Sequence, residues 1–113
     1  VRNLGAAASH GETLVFLDLR RRGMDVAYFR SEDGYEVDFL ARTGEGETLA
    51  IQVAETIADR EVRQRELRAL EAAMAERKLS SAVLVTLDEE ERIETARGAV
   101  AVVPAWRWLL RGD

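Results

Sequence analysis

The sequence predicts an α/β domain with a mixed central β-sheet flanked by helices. Three observations lead there. Short runs rich in Val, Ile, Leu and Phe recur as strand-like segments, two of them alternating apolar with polar residues. They are interrupted by one long stretch whose apolar residues repeat with helical period. The run SAVLVTLD follows that helix directly, and its unbroken β-branched character fits a strand buried on both faces and reached by a parallel crossover.

The elements follow in order. ETLVFLDLRRRG (Glu12 to Gly23) reads as a helix with Leu14, Leu17 and Asp18 on one face, three arginines in its last turn and Gly23 placed to end it. MDVAYFRS is a strand, Asp33-Gly34 a turn, and YEVDFLAR its antiparallel partner. In that partner Tyr35, Val37, Phe39 and Ala41 are expected on one side, and Glu36, Asp38, Leu40 and Arg42 on the other. Gly44 to Glu47 turns again into LAIQVAE, which completes a three-strand meander. From Asp59 to Lys78, Val62, Leu67, Leu70 and Met74 form a helical stripe. Thr56 and Asp59 stand at capping-box spacing, and Glu61 and Arg65 at i, i+4. After SAVLVTLD, DEEERIETARG is a polar turn around a short strand. AVAVVPAWRWLL closes the chain, Pro104 marking a strand end before a Trp-rich turn.

The 113 residues suit one domain with one core. Residues 1–11, opening on Val1 and low in periodicity, are expected to be a flexible linker from a preceding region, and residues 12–113 the folded domain. No apolar run approaches the ~20 residues of a membrane span, and no secretory signal opens the chain. With no cysteine, disulfides and thiolate metal sites are excluded, and a reducing cytoplasm is the default compartment. A net charge of -5 disfavours broad nucleic-acid binding. Lys78 is the sole lysine. No Walker-type glycine loop is present, so ATP is not expected to bind this segment.

The segments ETLVFLDLRRRG, YEVDF, IQVAE, VRQRELRALEAAM, LVTLDEEERIE and VPAWRWLL together resemble the C-terminal domain of unknown function of prokaryotic AAA+ ATPase-like proteins. That family is in turn similar to the PD-(D/E)XK restriction-endonuclease-like fold. The resemblance implies an ATPase domain in the same polypeptide as the first partner. Carried over by position, it implies a site at Asp18, Asp38, Gln52 and Ala54, the last two standing where a nuclease has an acid and a lysine. If that chemistry persisted, Mg²⁺ would be held by Asp38, Gln52 and Asp18.

The chemistry argues against persistence. Mg²⁺ prefers carboxylate, phosphate and water oxygens, and Gln52 offers only a neutral carbonyl. General acid–base assistance is worth ~10²–10⁴-fold, and Ala54 supplies none. Lys78 lies roughly 18 residues into the following helix, hence ~27 Å from its start. Arg60 and Arg63 stay protonated and cannot act as bases. The expected function is therefore a non-catalytic interaction or regulatory module with no required cofactor, met by its own ATPase domain, a protein partner or a second copy. The alternatives are a Mg²⁺-dependent DNA nuclease with an atypical site and a DNA-holding module.

Each singled-out residue has a plain structural role as well. Asp38 reads as a half-buried strand acid paired with an arginine, Asp18 as a helix acid bridged to Arg21 or Arg22, and Gln52 as a hydrogen-bonded amide. Glu36 and Glu55 read as solvated strand ends. Arg60, Arg63, Arg65 and Arg68 interleave with Glu61, Glu66 and Glu71 as a neutralised face. His10 falls in the expected linker. Trp106 and Trp108 either cap the core or anchor a partner.

Overall fold

A computed structural model describes residues 10–110. Its elements are α1 (His10–Arg21), β1 (Asp25–Arg30), β2 (Glu36–Arg42), β3 (Thr48–Val53), α2 (Arg60–Arg77), β4 (Ser81–Thr86), β5 (Glu91–Glu94), β6 (Ala99–Pro104) and α3 (Ala105–Leu110). The six strands form one sheet in the order β1-β2-β3-β4-β6-β5. β1, β2 and β3 pair antiparallel as the expected meander, while β3, β4 and β6 run parallel. β5 returns antiparallel on the far edge. The mixed α/β architecture read from the sequence is the one observed. Among the described residues, no helix is long and apolar enough to cross a membrane.

Two cores lie on the two faces of this sheet. On one, α2 packs Ala69, Leu70, Ala73 and Met74 against Phe29, Val37, Leu40, Ala50, Leu84 and Val102. On the other, α1 and α3 pack Val15, Leu19 and Trp108 against Phe39, Ala41, Ile51, Val83 and Val85. β4 sits centrally and is buried from Ala82 to Thr86, as its apolar run requires.

Helix α1 begins at His10, so the last two positions assigned to the linker are helical; residues 1–9 lie outside the described residues. Its buried stripe is Glu12, Val15, Asp18 and Leu19, whereas Leu14 and Leu17 are exposed. The expected Leu14–Leu17 face is thus rotated. Val15 and Leu19 meet the sheet, each worth about 1.5–3 kcal/mol on burial, and they take the two large leucines' place. Gly23, at φ 77°, closes α1 in a Schellman pattern: Met24 N–H donates to Leu19 C=O at 3.1 Å and Gly23 N–H to Arg20 C=O at 2.9 Å.

At the start of α2 the cap is Asp59, whose Oδ1 accepts from Glu61 N–H at 2.8 Å and Val62 N–H at 3.1 Å. Thr56, three residues earlier, instead braces the preceding turn, accepting from Ala58 N–H at 3.0 Å. Arg65 reaches Glu66 rather than Glu61. Lys78 ends α2 in the left-handed region, at φ 58° and ψ 47°.

Strand β2 departs most from simple alternation. Ala27 faces Leu40 and Phe29 faces Val37, so Asp38 and Phe39 together stand opposite the single Tyr28. This is a β-bulge. Val37 consequently joins Leu40 in the α2-side core, while Phe39 and Ala41 face α1. The expected grouping of Val37 with Phe39 and Ala41 fails because the extra residue reverses the phase of the strand.

Candidate functional site

The bulge falls where β2 and β3 separate. Their register runs from Arg42↔Thr48 to Phe39↔Ile51 and goes no further. Beyond it two side chains take over the ladder. Gln52 Oε1 accepts from the Asp38 backbone N–H at 2.7 Å, and Gln52 Nε2 donates to the Glu36 carbonyl at 3.1 Å. In return, Asp38 Oδ2 accepts from the Val53 backbone N–H at 2.8 Å. Both side chains are buried, at 6% and 4% exposure, and buried polar groups of this kind must find such partners.

Asp38 and Gln52 line a cleft of about 520 Å³ at this end of the sheet. Glu12 of α1, Glu36 and Tyr35 of the β1–β2 side, and Arg65 and Glu66 of α2 complete its charged or polar wall. Asp38 and Gln52 therefore come together as expected. Asp18 does not line the cleft. Its Oδ1 accepts from Arg21 at 2.6 Å and its Oδ2 from Arg22 at 2.8 Å. Arg22 also lies over the Trp108 ring, so Asp18 helps to join α1 to α3.

The α1 acid that reaches the cleft is Glu12, two turns earlier on the same buried stripe. Sequence reasoning passed over it as a helix-start residue. The available signal was its spacing, since Glu12, Val15 and Leu19 stand three and four apart. Ala54 packs against the α2-side core, and its N–H donates to the Val85 carbonyl at 3.0 Å.

Lys78, Arg65 and Arg63 are placed elsewhere or already engaged. Lys78 lines a separate hollow of about 880 Å³ with Thr48, Leu49 and Ser81, next to the start of β3, whereas Asp38 lies beside its end. Arg65, the cationic side chain lining the Asp38 cleft, pairs with Glu66 at 3.4 Å. Arg63 turns away to β5 and grips Glu91 with two bonds, of 3.0 and 2.6 Å. The hydrogen bond from Arg63 holds the Glu91 carboxyl below its ordinary range, and the same bond pushes the Arg63 guanidinium up.

Two neighbouring acids act in the same way. Glu89 accepts from Ile57 N–H at 3.0 Å and from Thr56 Oγ1 at 2.8 Å, and Glu90 pairs with Arg107 of α3. Trp108 is buried in the α1-side core, whereas Trp106 is 60% exposed.

Two of the oxygens that a divalent cation would use here are already engaged. Gln52 Oε1 is committed to an N–H, one Asp38 oxygen is committed to another, and both bonds hold the strands together. Among the described residues, no group of three His, Cys, Asp or Glu side chains is arranged to hold a metal ion.

A family model described as a domain of unknown function, DUF4143, matches residues 9–108. The chain belongs to the DUF4143 family. The match takes in all of the sheet and both longer helices, apart from residues at the ends of the chain. Among curated proteins, this DUF4143 chain is 33% identical over 114 residues to the uncharacterized protein MJ1544 of Methanocaldococcus jannaschii. That similarity covers 88% of the chain and 24% of the relative, so the DUF4143 chain spans about a quarter of the relative's length.

Proposed function

We propose that this domain is a non-catalytic C-terminal module of a larger, AAA+ ATPase-like polypeptide, retained for interaction or regulation. Its fold would descend from the restriction-endonuclease-like architecture. The ordered set of motifs supports the ATPase context, and a relative about four times the length of the matched segment supports the larger polypeptide. The absence of cysteine fits residence in a reducing cytoplasm.

One observation carries the non-catalytic reading. Asp38 and Gln52, at the positions of a metal-binding acid pair, serve as a bridge across the parting of β2 and β3. A nuclease would need those oxygens for a cation and an amine nearby to assist proton transfer. Here the amide is spent on backbone groups, and the lysine belongs to a different hollow.

The test combines calorimetric titration of the domain with Mg²⁺ and Mn²⁺ and a plasmid-nicking assay. No heat of binding and no nicking are expected. Nicking that requires metal and disappears in Asp38→Ala would replace this reading with the nuclease one. Fluorescence anisotropy with short duplexes at low salt separates a DNA-holding module, for which a salt-dependent rise is required.

A further inference from the structure

Strand β5 ends the sheet, with β6 on one side and, among the described residues, no strand on the other. Thr95 N–H donates to the Gly98 carbonyl at 2.8 Å, and Ile93 pairs with Val100 two residues further along the hairpin. Hydrogen-bonded pairs alternate in an antiparallel ladder, so Ile93 directs its backbone polar groups toward β6. Arg92 and Glu94 turn theirs outward. Their side chains share one face and are joined by an ion pair of 2.6 Å, with 71% and 69% of each side chain exposed. Ile93 faces the other way and is only partly buried, against the α2-side core.

We infer that two copies of this chain associate through β5, pairing antiparallel about a two-fold axis at Ile93. When a sheet continues across such an axis, opposed residues project to the same face, so the register must centre on a residue. Centring on Ile93 sets Arg92 opposite Glu94 of the second copy, and Glu94 opposite its Arg92. Centring on Arg92 or on Glu94 would set like charges against each other, which is destabilising.

The Ile93 register therefore stands alone among the three in pairing opposite charges. It also joins the four outward backbone groups of each copy in hydrogen bonds and brings the two Ile93 side chains together. Beside this edge, a hollow of about 480 Å³ lined by Ala101, Val103 and Arg107 offers further surface to the second copy. The association does not depend on the chemistry of the Asp38 cleft.

Short-edge interfaces belong to the weak class, below ~1,200 Å², so the test is sedimentation equilibrium at loading concentrations up to about 100 µM. The mass should rise toward twice the 12.6 kDa of one chain. Glu94→Arg and Arg92→Glu should each weaken association by about tenfold, with circular dichroism unchanged because both side chains are exposed. The double exchange Arg92→Glu with Glu94→Arg should restore it, since opposite charges face each other again. A mass of one chain throughout would overturn the inference. So would growth beyond two copies, as in head-to-tail pairing of β5 on β1, or charge variants that associate like the wild type.

Discussion

Gln52 and Asp38 secure each other across a parting of the sheet: the amide oxygen accepts the Asp38 N–H, and the carboxylate accepts the N–H of the residue after Gln52. The two side chains thus complete an interrupted backbone ladder. Gln suits this role better than Glu because it also donates, and the Glu36 carbonyl takes that bond.

Gln52→Glu tests the point directly, since it sets a carboxylate in place of the amide and removes its donor. The carboxylate keeps the bond from Asp38 N–H but loses the donor to Glu36 and sets a second buried charge near Asp38. A loss of about 1–3 kcal/mol in unfolding free energy is expected from the unmet carbonyl alone. Urea denaturation measures it, and a variant as stable as the wild type would show that the bridge has no such role.

The Arg63–Glu91 pair predicts a pH effect. Its largest cause is the hydrogen bond from Arg63, which lowers the Glu91 pKa from its ordinary 4.5. Because the folded pKa is depressed, the contribution is present above the unfolded value and is lost as pH falls through the folded one. Carboxyl-carbon NMR should find Glu91 titrating below the ordinary glutamate value, and Arg63→Ala should raise it again. An unmoved titration would contradict the bidentate contact.

Gly98→Ala should destabilise through crowding. A Cβ there would stand 2.4 Å from the Ser80 carbonyl oxygen, and backbone cannot swing aside as a side chain can. Ser80 also accepts from Ala99 N–H at 3.1 Å, which joins the start of β6 to the residue before β4. Overpacking of this kind costs typically ~1–3 kcal/mol, and thermal unfolding should register it as a lower midpoint.

The central features of the fold were legible because they rest on pattern. The unbroken run of β4 predicted its central place, and the helix before it predicted the parallel crossover. Features that depend on a single inserted residue or on a rotation of one helix were not legible. A bulge leaves no periodic trace, so the reversal of Val37 against Phe39 could not be read from β2 alone.

In α1, the expected face holds Leu14, Leu17 and Asp18, but only Asp18 of the three is buried; the sheet receives Val15 and Leu19, and Glu12 of the same stripe reaches the cleft. Asp18 and Arg22 formed the pair that helix spacing allows. The tryptophans divided, because α3 turns Trp108 inward and Trp106 outward.

Glu89, Glu90 and Glu91 are consecutive, yet they grip the turn before α2, the C-terminal helix and the body of α2 respectively. The first and last of these attachments lead to the helix that forms one wall of the Asp38 cleft. These three acids thus tether α3 and α2, which lie on opposite layers, to one short stretch of backbone at the sheet's edge.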